Sequence, residues 1–146
     1  MPLTQYMRKQ ILKMIAGKSS FSNYTYLALS TSAINADGTG IVEPSGNGYS
    51  RVRVDTVNVI GGTGTISAWP SDPSDTDSDG KYEYTNNQDI IFPEATGSWG
   101  TITYFAIFTT QTGGNMIAYG ALATPISPVA DTIPVVRAGQ LTIEEE

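Results

Sequence analysis

Cysteine and histidine are both missing from the 146 residues of the chain. Without cysteine there is no disulfide and no thiolate chemistry, a composition that suits a reducing compartment. Without histidine, the usual general base near neutral pH and the commonest metal ligand are gone. Together these absences exclude Ser–His–Asp and Cys–His catalysis and ordinary zinc sites. Long apolar runs are lacking too. No stretch approaches the ~20 apolar residues that cross a bilayer, so no membrane partner is expected. The first residues do not read as a signal peptide, because Arg8, Lys9 and Lys13 interrupt the apolar positions. Basic residues are few: 8 Lys and Arg stand against 14 Asp and Glu, for a net charge of −6.

That charge is segregated. Residues 1–36 hold Arg8, Lys9, Lys13 and Lys18 and no acid, which makes them +4, while residues 37–146 are −10. An acidic body repels phosphate, so nucleic acid is not an expected partner. The basic segment can pair with an acidic surface. The plainer reading is a solvated helix face beside an acidic domain.

The length fits one domain that can bury a core without staples. Residues 1–20 read as an amphipathic helix and its linker, and residues 21–146 as a β domain. Thr4 can cap the helix and Gly17 can end it. Met7, Ile11, Met14 and Ile15 follow the spacing that gathers apolar groups on one helix face, and Arg8, Lys9 and Lys13 fall largely elsewhere. A helix this short is marginal alone and needs contacts with its own domain or with a neighbour.

Beyond Lys18 the pattern turns to strands. Tyr24–Thr31 alternates and is rich in β-formers, and residues 33–48 form a Gly-, Asn- and Pro-rich loop. Tyr49–Val54 sets Val52 and Val54 against Arg51 and Arg53, and Val57 and Val59 continue past a bulge. Short strands follow at Thr65–Trp69, Lys81–Tyr84 and Ile90–Phe92. Thr101–Thr110 is the longest and most apolar strand and reads as central. A hairpin turn at Gln111–Gly114 leads into Asn115–Leu122, and Ile133–Val136 and Leu141–Ile143 complete the set. Pro134 places the former at an edge. Short strands at regular spacing, punctuated by turns, predict a mainly β protein: an antiparallel, jelly-roll-like β-sandwich with one N-terminal amphipathic helix.

Asp75, Asp77 and Asp79, followed by Gly80, match the opening half of a calcium loop, where alternate carboxylates turn inward on a hard cation. The closing position is Asn86 where a bidentate Glu is needed, and flanking helices are absent from the pattern. Glu83 substitutes only in a looser geometry. These four residues are the metal candidate, set against an ordinary solvated Asp/Ser turn. No other cofactor is expected. Gly61–Gly64 and Gly38–Gly40 lack the Lys-Ser/Thr ending of a phosphate loop and read as turns. No pair of carboxylates stands out as a glycosidase pair. Tyr24, Tyr26, Tyr49, Trp69, Tyr82, Tyr84, Trp99, Tyr104 and Tyr119 either fill the core or line a binding face. An exposed Tyr/Trp patch with converging Asp and Asn would favour sugar.

Several blocks together resemble a family of small tailed-bacteriophage virion proteins. They are Tyr26–Thr31 (YLALST), Pro44–Val54 (PSGNGYSRVRV), Ile91–Phe108 (IFPEATGSWGTITYFAIF), Thr112–Leu122 and Ala138–Ile143. Members are often labelled tail fibre proteins and are also similar to capsid cement, or decoration, proteins. The resemblance covers nearly the whole chain, and the acidic 70–80 loop departs from it, so calcium is not inherited. It implies a non-enzymatic structural protein made in the host cytoplasm and placed on the virion, on the outer surface of the head. Its implied partners are the major capsid protein and copies of itself, as a homo-oligomer that is a trimer. Met7, Arg8, Lys9, Ile11, Lys13 and Met14 are the interface candidates. A tail or tail-fibre component and a carbohydrate- or receptor-binding module are the competing readings.

Overall fold

The computed structural model describes residues 3–20, 25–58, 65–75 and 78–144. The chain starts with one helix, α1 (Gln5–Ile15). Thr4 is its N-cap, in extended conformation, and its hydroxyl accepts from the Met7 amide at 3.2 Å. The same hydroxyl donates to the Met116 carbonyl at 2.6 Å, so the cap also bolts the helix to the β body. Gly17, at φ 71°, ends the helix, with its N–H and that of Lys18 returning to the carbonyls of Met14 and Lys13. A left-handed residue at this position is the common way to satisfy the last carbonyls.

Ten strands follow. They are β1 (Tyr26–Ser30), β2 (Val52–Arg53), β3 (Val57–Asn58), β4 (Thr65–Ile66), β5 (Glu83–Thr85), β6 (Ile90–Ile91), β7 (Ile102–Phe108), β8 (Met116–Ile126), β9 (Val135–Val136) and β10 (Thr142–Glu144). The main sheet has the order β2-β1-β7-β8, and all its pairs are antiparallel. The strand expected at the centre, β7, is an inner strand. Around the main sheet lie three two-stranded antiparallel ribbons, β5–β10, β3–β4 and β6–β9.

Alternation along the strands builds two apolar layers. Leu27 and Leu29 of β1 and Phe105 and Ile107 of β7 share one buried cluster with Val57, Ile90 and Val136 from the ribbons and with Leu141, just before β10. Ala28, Ala106, Phe108, Met116 and Tyr119 face the other way and are covered by Ile34, Ala36 and Ile41 of the 31–42 loop. Fully burying a Leu or Phe contributes about 1.5–3 kcal/mol each, so the first cluster holds the ribbons to the sheet. The mainly β, antiparallel class with one N-terminal helix is therefore what the sequence predicts. The second layer is three short ribbons rather than one continuous sheet. Between them the backbone spends its hydrogen bonds on loops, as where Asn86 Oδ1 accepts from the Gly139 and Leu141 amides at 3.1 and 2.9 Å.

The outer edge of β8 is capped. Leu3 bridges to Ala118, and the Thr4 N–H donates to the Ile117 carbonyl at 3.1 Å. Further along, the Ala123 and Thr124 amides donate to the backbone and side-chain oxygens of Gln140. An uncovered edge strand is a template for unwanted pairing, and the N-terminal segment blunts it here.

Candidate interaction surface

The helix divides its apolar residues between two tasks. Leu3, Tyr6 and Met7 pack against the main core cluster. Ile11 and Met14 are half-buried. Leu12 and Ile15, by contrast, are 68% and 78% exposed. Leu12 and Ile15 follow Arg8 at i+4 and i+7, so the three form one outward stripe. Arg8, Lys9 and Lys13 are all exposed. Among the interface candidates, then, Met7 is committed to the domain's own core, and Ile11 and Met14 lie at its margin. Leu12 is not among the candidates read from the sequence, although its spacing from Arg8 and Ile15 places it on their face. A second outward apolar area lies on the β6–β9 ribbon, where Ile91 pairs with Val135 and Ile133 is 57% exposed.

The acidic loop is built as a turn. Asp75 accepts from the Asp79 and Gly80 amides, both at 3.1 Å, and Asp79 accepts from the Lys81 amide at 2.8 Å. These bonds occupy the carboxylates in the local role that favours Asp in turns. Asp77 lies outside the described residues. Glu83 sits in β5, opposite Glu144, and exchanges backbone bonds with Ser74. Among the described residues no three His, Cys, Asp or Glu side chains gather as a metal site, and no helix is long and apolar enough to cross a membrane.

The most elaborate polar cluster among the described residues is half-buried. Arg51, 8% exposed, donates from Nε and Nη2 to the two Glu43 oxygens at 3.0 and 2.8 Å. Its Nη1 donates to the carbonyls of Thr110 and Gly113 at 3.1 and 2.8 Å. The Tyr49 hydroxyl donates to Glu43 at 2.6 Å and accepts from the Leu29 amide at 3.1 Å. Burial opposes ionisation of Glu43, but the bonds from Arg51 and Tyr49 and the guanidinium charge outweigh it and lower its pKa. Burial, with the neighbouring carboxylate, pushes the Tyr49 phenol up. A pair this completely satisfied offers no free base or acid, and it acts as a clamp between loops.

Beside it, the two most specific sequence blocks interlock. Trp99 Nε1 donates to the Asn47 carbonyl at 2.8 Å, and Asn47 Nδ2 donates to the Ser98 carbonyl at 3.2 Å. Tyr49 meets Trp99 edge-on with ring centres 5.2 Å apart. The GNGY turn and the GSWG turn are therefore two halves of one structure.

The remaining aromatic pair is different. Trp69 and Tyr84 meet at 62° with ring centres 6.1 Å apart and line a cleft of about 700 Å³. Asp55, Asn87, Ser71 and Thr25 also line it. Arg53 donates to both Asp55 oxygens, and the Thr25 amide donates to Oδ1 at 3.2 Å. Burial raises the Asp55 pKa, but these donors prevail and lower it.

The described residues therefore form a mainly β protein with one N-terminal helix that carries exposed apolar and basic side chains. The comparison with known families narrows this. The chain belongs to the family described as podophage GP4 fiber I protein gp80, whose model matches residues 2–144. That places it among the virion structural proteins of tailed phages, with a fibre label. No match was found among curated proteins.

Proposed function

We propose that the chain is a non-enzymatic fibre component of a tailed-phage virion, attached through its N-terminal helix, with its acidic β body turned outward. The carrying observation is the stripe of Arg8, Leu12 and Ile15, open to solvent on a helix whose first turn is anchored to the core. Apolar contact supplies the adhesion, and Arg8, Lys9 and Lys13 steer the helix toward an acidic partner surface. The chain associates with copies of itself as a homotrimer, since closed symmetry is the rule for such assemblies. The family description supports the fibre reading.

A second reading is a cement protein on the outer face of the head, bound to the major capsid protein. It is favoured by the absence of the long repeats or heptads that mark a fibre shaft and by the segregated charge. Imaging of intact particles, with an antibody fragment against the β body, discriminates them. Density on fibres supports the first reading, and density spread over the capsid lattice supports the second. Absence of the chain from purified particles overturns both.

A further inference from the structure

We propose that the cleft between Trp69 and Tyr84 binds a neutral saccharide, with a pyranose ring laid on the aromatic pair. This deepens the fibre reading by naming the ligand class that such a virion protein would hold, and it rests on that reading for its biological setting only.

The cleft has the features this chemistry needs. A pyranose presents an apolar face of C–H groups and a rim of hydroxyls. Trp69 and Tyr84, inclined at 62°, offer one ring as a floor and the other as a side wall. Both are half-buried, so each is held by the body and still open on one side. Polar groups surround them. The Asp55 carboxylate is fixed by Arg53 and the Thr25 amide and retains lone pairs for a hydroxyl. The Asn87 amide N–H donates to the Ala68 carbonyl at 2.9 Å, which holds the residue in place. Its side chain makes no hydrogen bond to any described residue, leaving a donor and an acceptor on the rim. The Ser71 hydroxyl is likewise available. The volume of about 700 Å³ lies within the range of small-molecule sites. Among the described lining residues none is basic and one is a carboxylate, which disfavours phosphorylated or sialylated ligands. Among the described residues the other aromatic grouping offers nothing comparable, because Tyr49, Phe92 and Trp99 pack in the core.

The test uses the full chain with methyl glucoside, methyl galactoside, N-acetylglucosamine and neutral oligosaccharides up to millimolar concentration. Sialyllactose, glucose 6-phosphate and a proline-rich peptide are run beside them. Binding is read by Trp fluorescence and by ligand-observed NMR. Saturable binding of at least one neutral saccharide is expected, weakened about tenfold or more by Trp69→Ala and by Asn87→Ala. Asn87 is exposed, so its variant retains the fold even if Trp69→Ala does not, and circular dichroism checks both. No neutral saccharide binding, binding unaffected by Asn87→Ala, or binding only of the anionic sugars or the peptide would overturn the inference. Particle imaging tests the virion placement separately, so failure of one leaves the other standing.

Discussion

The Arg51 guanidinium lies over the Phe108 ring, its Cζ 3.6 Å from the ring centre, while both Glu43 oxygens grip its edge. The arrangement joins three separate pieces of chain: the 43–51 segment, the end of β7 and the 110–113 turn. Lysine could also set a cation over an aromatic face, but the bidentate grip on a carboxylate needs arginine's planar fork and not lysine's point charge.

Arg51→Ala is therefore expected to destabilise the fold by about 3 kcal/mol, because it leaves the Glu43 charge partly buried and unpaired. Arg51→Lys should recover only part of that loss. Urea unfolding of the three proteins at neutral pH measures it, and equal stability of the alanine variant and wild type would refute the clamp.

The same clamp gives an acid dependence. The Glu43 pKa is lowered from the ordinary 4.5 on folding. Its contribution to stability is then fully present above 4.5 and is lost as pH falls through the lower, folded value. Glu43→Gln should flatten the acid limb of a stability–pH curve while lowering stability at neutral pH. Parallel acid limbs for variant and wild type would contradict this.

Two neighbouring glycines make a controlled comparison. A Cβ on Gly48, at φ 81°, would meet the Glu94 carbonyl oxygen at 2.5 Å, whereas one on Gly46, at φ 69°, meets nothing within 4 Å. Gly46→Ala carries the left-handed backbone cost alone, about 1–2 kcal/mol. Gly48→Ala adds a clash with backbone that cannot swing aside, so it should lower the melting temperature clearly more. Equal shifts would mean the GNGY and PEATG segments are not locked together.

How much of this was legible in the sequence follows from range. The helix limits were, because Thr4 and Gly17 act within one turn of where they stand. The inner position of β7 was, because TITYFAIF is apolar on both faces. Val52 against Arg51 was read as alternation, yet the destination of Arg51 was not readable. Its partners are Glu43, eight residues away, and Phe108 and the carbonyls of Thr110 and Gly113, and nothing local announces the last three, ~60 positions along the chain. The pairing of Trp69 with Tyr84 is of the same kind. The ribbons were too short for their order to follow from pattern, since two-residue strands carry no periodicity.

Calcium should leave the melting temperature unchanged within replicate scatter. Asp75 and Asp79 already accept from the amides of Asp79, Gly80 and Lys81, and a cation would have to displace those bonds. A ligand that binds the native state alone must stabilise it. A rise of many degrees on adding calcium, abolished by Asp75→Asn, would instead establish a metal site.

The proposed attachment surface permits the sharpest separation of burial from charge. Leu12 and Ile15 are exposed in the isolated chain, so Leu12→Asp with Ile15→Asp should leave circular dichroism and melting temperature near wild type. Met7→Asp, in contrast, would damage the core it packs against. If the stripe is buried on assembly, each of its two apolar side chains contributes about 1.5–3 kcal/mol to that step. Lys9 and Lys13 are exposed and contribute about 0–1 kcal/mol each, screened further by salt. The double aspartate variant should thus fail to assemble, or fail to co-sediment with particles lacking the protein, while Lys9→Ala with Lys13→Ala weakens binding modestly and mainly at low salt. Ile11→Asp with Met14→Asp should be intermediate in assembly and lower in stability, since both residues are half-buried in the free chain. Mass measurement in solution gives the oligomeric state, and co-sedimentation gives attachment. Wild-type behaviour of the Leu12 and Ile15 variant in both would show that the helix is not the adhesive element. A monomeric mass, free and on the particle, would remove the trimer.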